Sequence, residues 1–282
     1  MLNIDQIRAY RAGTFRLQQP LKSLNQAIEF VNQRGLAYFW PIRGITLPSL
    51  WIATAGDRPV ADAHDDPGHI TWDWKDSQLG KRVWYYAKVL RKKATLISLE
   101  LAPAFYALSE NYGSPEEDYL TLYEQGRLTQ EARLVYEALL DHGALDTVAL
   151  RKTSRLTSLE SDARFNRALA DLQAGFHIMP TGVADAGAWH YAFIYDIVAR
   201  ARPELPEQAR FLGELDARQM LVAAYFHSVG AAQMRDLSLL FQWSATDLER
   251  TIDRLVKQGL IQRGLQLADV RGEWLALTEL TT

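Results

Sequence analysis

Two stretches in the N-terminal half hold the residue types best suited to chemistry. The first is His64-Asp-Asp-Pro-Gly-His-Ile-Thr-Trp-Asp-Trp-Lys-Asp76. Carboxylates and imidazoles so grouped can ligate a metal or move protons. No HExxH-like motif accompanies them, so no metal is expected. A carboxylate beside two indoles fits a different role, because an aromatic wall can hold an extruded base while the acid orients water. On that reading Asp73 and Asp76 are the candidate catalytic carboxylates, and Trp72 and Trp74 stack on the base. Lys75 then holds the adjacent phosphate, or attacks the sugar as an amine if burial or a neighbouring cation lowers its pKa. Asp, Pro and Gly are also ordinary turn residues, so the same stretch reads equally as a surface loop with two packed Trp.

The second stretch is Lys81-Arg-Val-Trp-Tyr-Tyr-Ala-Lys-Val-Leu-Arg-Lys-Lys93, with six basic residues and no acidic one. It reads as a strand Arg82–Leu90, a turn Arg91–Lys93 and a second strand Thr95–Leu99. Strand alternation puts Arg82, Trp84, Tyr86 and Lys88 on one face. Cations interleaved with rings can hold phosphates while the rings stack on bases. Arg82, Trp84, Tyr86, Lys88, Arg91, Lys92 and Lys93 are therefore candidate nucleic-acid contacts. The other reading is a hairpin with a basic tip whose aromatics face a core.

Composition bounds these possibilities. A chain of 282 residues accommodates two or three domains, and 48% hydrophobic residues, with eight Trp and twelve Tyr, are enough to build their cores. The net charge of -3 makes any nucleic-acid surface local. The absence of Cys excludes disulfides, thiolate metal sites and cysteine nucleophiles. The N-terminus MLNIDQIRAYRAG lacks a signal-peptide pattern, and no run approaches ~18 uncharged apolar residues. A cytoplasmic protein without membrane contact or cofactor is expected.

The elements that must position these residues are clearest in the C-terminal half. Leu128, Ala132, Val135 and Leu139 mark one helix face, with Thr129 as cap and Gly143 as stop. A short segment, Asp146–Arg155, follows. Phe165, Leu169 and Leu172 then mark a second helix ending near Gly175. Strand-like runs Phe176–Pro180 and Trp189–Ile194 flank a turn at Thr181–Gly187. The order recurs. Asp216 and Gln219 suggest a capping box, Leu221, Val222, Tyr225 and Val229 a stripe, and Gly230 a stop. Met234–Phe241 is a short helix, and Ser244 caps the helix of Leu248, Ile252 and Leu255, which ends at Gly259. Strands Leu260–Arg263 and Trp274–Leu277 flank a turn at Asp269–Gly272.

Helix, short helix, helix and hairpin is the winged-helix plan. The chain is thus expected to be mainly α with small β-hairpins (α+β), with tandem winged-helix domains. These are a divergent N-terminal winged-helix-like unit with the basic hairpin at 1–127, and winged helices at 128–207 and 208–282. In the N-terminal unit Ile4–Ala12, Ser23–Arg34 and Leu47–Ala53 read as helices. Leu36–Ile42 reads as a strand, and Leu101–Ser109 as a helix broken early by Pro103. The third helix of each C-terminal copy is the candidate recognition helix, with Arg164 and Arg167 outward in one and Arg250, Arg254 and Lys257 in the other. Acidic neighbours make both faces mixed, and Arg151, Lys152 and Arg155 favour phosphate contacts over base reading.

Tandem winged helices behind a divergent N-terminal unit resemble the AlkZ/YcaQ-type DNA glycosylases, which hydrolyse N-glycosidic bonds of alkylated or crosslinked bases. In sequence the resemblance is strongest at Gly35-Leu-Ala-Tyr-Phe-Trp-Pro-Ile-Arg-Gly-Ile45 and Leu47-Pro-Ser-Leu-Trp51. The glycosylases carry a Gln-x-Gln or Gln-x-Asp pair on the equivalent strand. Pro41-Ile42-Arg43 stands there in this chain, and an Arg offers donors only, so it cannot orient water as an acceptor. The chain therefore resembles an AlkZ-related branch without that motif. The resemblance implies the fold and binding of DNA, duplex or damaged, but carries over no catalytic residue. A DNA-binding protein of this superfamily, a glycosylase or damage-recognition protein in base excision repair, is expected. The alternatives are a winged-helix transcriptional regulator without enzymatic activity, and a scaffold.

Overall fold

The computed structural model describes residues 3–267 and 270–281. The first helix, α1 (Ile4–Thr14), starts at a capping box made by Asn3 and Gln6. The chain then passes through α2 (Leu24–Arg34), β1 (Leu36–Tyr38), α3 (Leu50–Ala55), a 3-10 turn at Pro67–His69, α4 (Ile70–Asp76), β2 (Tyr85–Lys88) and β3 (Ala94–Ile97). Two connecting helices follow, α5 (Ala102–Ala107) and α6 (Asp118–Glu124). Next come α7 (Gln130–His142), β4 (Leu145–Asp146), α8 (Thr147–Thr153), α9 (Asp162–Ala174), β5 (Ile178–Ala184) and β6 (Ala192–Ile197). After α10 (Val198–Ala201) and α11 (Glu204–Ala209), the last group is α12 (Glu214–Val229), β7 (Ala231–Ala232), α13 (Met234–Phe241), α14 (Ala245–Lys257), β8 (Ile261–Leu267) and β9 (Val270–Leu277).

About 51% of the residues are helical, and the strands form small antiparallel sheets, an α+β arrangement. The sheets run β1-β3-β2, β4-β6-β5 and β7-β9-β8. Each is preceded by the same order: a helix, a short strand, two helices and a hairpin whose second strand lies in the middle. The order thus occurs three times. The N-terminal occurrence is hard to read in sequence because residues 56–66 separate its second and third helices. The groups beginning at α2, α7 and α12 are called the first, second and third repeats below.

Local chemistry explains most boundaries. Ser23, Thr129 and Ser244 each accept a backbone N–H at a helix start, and Gly35, Gly143 and Gly230 take the positive φ that ends the preceding helix. Phe165, Leu169 and Leu172, like Leu248, Ile252 and Leu255, are buried as their spacing requires. Five expectations change. Pro103 does not break α5, because it lies in the first turn, where no N–H is needed. Asp216 is inside the first turn of α12 and pairs with Arg254, while the capping box of this region is formed by Gln233 and Asp236. β1 stops at Tyr38, whereas β5 runs through the expected turn to Ala184. Of the expected turn Asp269–Gly272, Asp269 lies outside the described residues, and Val270–Gly272 belong to β9.

Burial ties the repeats together. The second repeat packs Val135, Leu139, Phe165 and Leu172 into its own core, joined by Tyr119 and Leu122 of α6. The first and third repeats share a core in which Tyr38 and Tyr85 meet Leu221, Val222 and Tyr225 of α12. A further core holds Phe30, Val31, Trp74, Trp84, Tyr86 and Leu96. β2 lies between two cores, with Tyr85 and Ala87 in one and Trp84 and Tyr86 in the other.

Candidate nucleic-acid interface

The segment expected as a surface loop is helical from Pro67 onward. Asp66 accepts the Gly68 N–H at 2.8 Å, Pro67 presets the first turn, and the 3-10 turn runs into α4. Helical geometry then divides the residues of α4. Thr71, Trp74 and Lys75 are buried, Trp72 is half-buried, and Asp73 is exposed. Trp74 packs in the core with Phe30 and Leu96, so it is not available to stack on a base. The expectation for Trp74 is corrected by the period of the helix.

Trp72 lines a groove of about 1140 Å3. One wall is Trp40 and Trp72, whose ring centroids are 5.5 Å apart. Trp189 and Tyr191, in the connection between β5 and β6, also line the groove, and the Tyr191 ring meets Trp72 edge-on with centroids 6.0 Å apart. Asp62, His64, Asp65, Asp66, His69 and Asp73 complete the polar lining, which contains no Lys or Arg. Asp66 is held below the usual carboxylate range, first by its bond to Arg58 and then by the Gly68 N–H. Trp40 immediately precedes Pro41-Ile42-Arg43, so the segment that departs from the glycosylase motif adjoins the groove. Among the described residues, no three His, Asp or Glu side chains converge as metal ligands.

Lys75 lies behind this wall. It is 1% exposed, and its ammonium is 2.8 Å from Asp76 and 3.1 Å from the Tyr191 hydroxyl. Tyr191 donates to Asp76 at 3.0 Å. The ammonium also sits 4.3 Å from the Trp72 ring centroid and 4.6 Å from that of Phe193. Burial lowers the Lys75 pKa, and the bond to Asp76 opposes that shift. Burial, then the Asp76 charge, pushes the Tyr191 hydroxyl upward. This enclosure corrects the expectation that Lys75 holds a phosphate or attacks a sugar, because its ammonium is bonded to Asp76 and Tyr191 and otherwise surrounded by aromatic rings. Asp76 is engaged with the same two partners, which leaves Asp73 as the exposed carboxylate of the pair.

The basic stretch is positioned differently. Trp84, 2% exposed, and Tyr86 are enclosed in the core, because β2 is covered on both faces. The expected base-stacking face of cations and rings is therefore absent there. Arg82 is exposed and 3.3 Å from Glu204. Arg91 donates to the Leu239 carbonyl at 2.7 Å, and Lys92 pairs with Asp171. Lys88 and Lys93 are both exposed, and the Lys88 pKa is lowered by desolvation and then by the Lys93 charge. No residue of 81–93 lines the groove. On α9, Arg164 and Arg167 are exposed, with Arg164 3.3 Å from Glu131.

Trp40, Trp189 and Tyr191 were not singled out from sequence. The available signal was Gly187-Ala-Trp-His-Tyr191: a Trp in a Gly-containing turn has little core to enter, and Trp189 is 89% exposed.

Three helix-and-hairpin repeats with an aromatic groove where the first meets the second define the class of protein. The chain belongs to the AlkZ-related family, whose profile matches residues 21–242. No curated protein matches it. Among solved structures it is similar in fold to the Streptomyces sahachiroi DNA glycosylase AlkZ, with a TM-score of 0.60 and 14% identity over 98% of this chain and 70% of that one. Among the described residues, no helix is long and apolar enough to cross a membrane.

Proposed function

We propose that the protein binds DNA through tandem winged-helix units at 1–127, 128–207 and 208–282, works in the cytoplasm, and receives an extruded base in the groove lined by Trp40, Trp72, Trp189 and Tyr191. The observation that carries this reading is the groove itself. Aromatic walls supply the π-faces on which a base stacks, and an exposed carboxylate sits at their edge. The thrice-repeated strand order supports the winged-helix assignment, and the likeness to a DNA glycosylase supports the choice of ligand. An acidic lining repels phosphates, so the backbone must be held outside the groove. We assign that task to the exposed Lys88 and Lys93, which lie outside the groove lining.

In its finer form the proposal is hydrolysis of an N-glycosidic bond. Asp73 orients a water whose oxygen bonds to the sugar C1′. The C1′–N bond breaks with its electron pair leaving on the base, and the water's proton passes to Asp73. The carboxylates of the lining offset positive charge on the sugar as that bond opens. Trp72, Trp40 and Tyr191 hold the ring. The operator-reading alternative has less support, since Arg164 and Arg254 of the two candidate recognition helices are engaged with Glu131 and Asp216.

The test compares wild type with Asp73→Asn on alkylated and crosslinked DNA. We expect base release from wild type and a loss of roughly 10²–10⁴-fold in the variant, with binding retained. Release at equal rates removes Asp73 from the mechanism. Binding without release by wild type leaves a damage-recognition protein. No binding of duplex, mismatched or single-stranded DNA at low salt, where phosphate contacts are strongest, overturns the DNA reading.

A further inference from the structure

We infer that Lys75, Asp76 and Tyr191 form a latch that seats the β5–β6 hairpin of the second repeat against α4 of the first, which makes Lys75 a positioning residue for the groove. A buried ammonium is expensive, and a Met would fill similar space without that cost. The charge lies where the first and second repeats meet. Phe39, Trp72 and Tyr86 of the first repeat and Tyr191 and Phe193 of the second surround it, with centroids 4.3 to 5.8 Å away. Its hydrogen-bonding partners come one from each side, and they bond to each other, closing a three-membered ring of contacts. Trp72 and Tyr191, which face the ammonium from opposite sides of the seam, are also two walls of the groove. The charge that holds the repeats together therefore also sets the distance between those walls.

The rest of the seam supports this assignment. Arg202 donates to the carbonyls of Lys81 and Trp84, and Gly80 approaches the Thr181 carbonyl so closely that a Cβ there would stand 2.5 Å from its oxygen. These contacts anchor the base of the hairpin. Farther out, His190 pairs with Asp185 inside the same connection, which does not tie the tip to α4. The latch joins the tip to α4. The titratable groups facing the ammonium are Asp76 of its own helix, Tyr86 of β2 and Tyr191 of the hairpin, with Tyr195 next to both tyrosines.

The latch rests on the groove reading only for its functional consequence, so the experiment reads the hairpin directly. Full-length wild type and Lys75→Met are compared by amide hydrogen exchange. Amides of 182–192 should exchange at least tenfold faster in the variant, while those of α9 and α14 keep their protection. In protein labelled with 5-fluorotryptophan, the Trp72 fluorine resonance should titrate in wild type with a midpoint below the usual lysine range. That transition should be absent in Lys75→Met, which keeps Asp76 and Tyr191, a signature that a merely space-filling side chain would not produce. Unchanged hairpin exchange, or the same titration in both proteins, overturns the inference. If α9 and α14 also lose protection in Lys75→Met, Tyr191→Phe decides. It keeps the ammonium and its pairing with Asp76 but removes the hydroxyl's bonds to Lys75 and to Asp76, and a hairpin-specific acceleration of a few-fold is expected, whereas none overturns the latch. A loosened hairpin with unaltered DNA affinity upholds the latch and counts instead against the groove as the DNA site.

Discussion

His177 offers a prediction whose size follows from burial alone. It precedes β5, is 6% exposed, and meets the Tyr136 ring edge-on at 5.9 Å. Its backbone is held at both ends, donating to the Leu172 carbonyl and accepting from the Val198 N–H. Lys92, Glu110, Arg127 and Asp171 line the same shallow depression. Burial lowers the imidazole pKa from 6.5 to about 4. The folded protein therefore keeps His177 neutral in a range where the unfolded chain protonates it. Between those two values the unfolded state binds more protons, so stability falls as pH falls. The contribution is fully present above about pH 6.5 and lost progressively down to about pH 4. A shift of roughly two and a half units at ~1.36 kcal/mol each amounts to about 3 kcal/mol, against a typical total of ~5–15 kcal/mol. Urea unfolding of wild type and His177→Leu from pH 4 to pH 7 measures it, because the carboxylates common to both proteins cancel in the difference. Wild type should lose about 3 kcal/mol more than the variant over this range. Parallel stability profiles would refute the reasoning, since they would mean that the folded protein accommodates the imidazolium without penalty.

Two further outcomes follow from packing and charge. Ile252→Ala removes a fully buried side chain from the inner face of α14 and should cost roughly 2–5 kcal/mol in denaturant unfolding; a cost under ~1 kcal/mol would show that the site collapses around the smaller residue. Replacing both Lys88 and Lys93 by Ala should weaken DNA binding alike for all sequences and flatten its salt dependence by about one unit of slope per lost contact, as read by fluorescence anisotropy over a salt series. Unchanged affinity would place the phosphates elsewhere.

Much of the fold was legible because it is set by near neighbours. Ser23, Thr129 and Ser244 cap helices through bonds to residues three positions on, and α13 spans the Met234–Phe241 expected for the short helix. The same local rules put Phe165, Leu169 and Leu172 on one face, and any packed core buries such a face. β2 shows where this reasoning ends. Alternation assigned Trp84 and Tyr86 to a binding surface, but a strand covered on both faces buries every ring regardless of parity. Lys75 was a surface cation by residue type, yet its hydroxyl partner is Tyr191, 116 positions away. Sequence by itself determined the helices, their ends and their inner faces, since capping and periodicity act within a few residues. Only the tertiary structure decided which rings meet solvent and which carboxylate stays exposed, because desolvation depends on what the rest of the chain brings against each side chain.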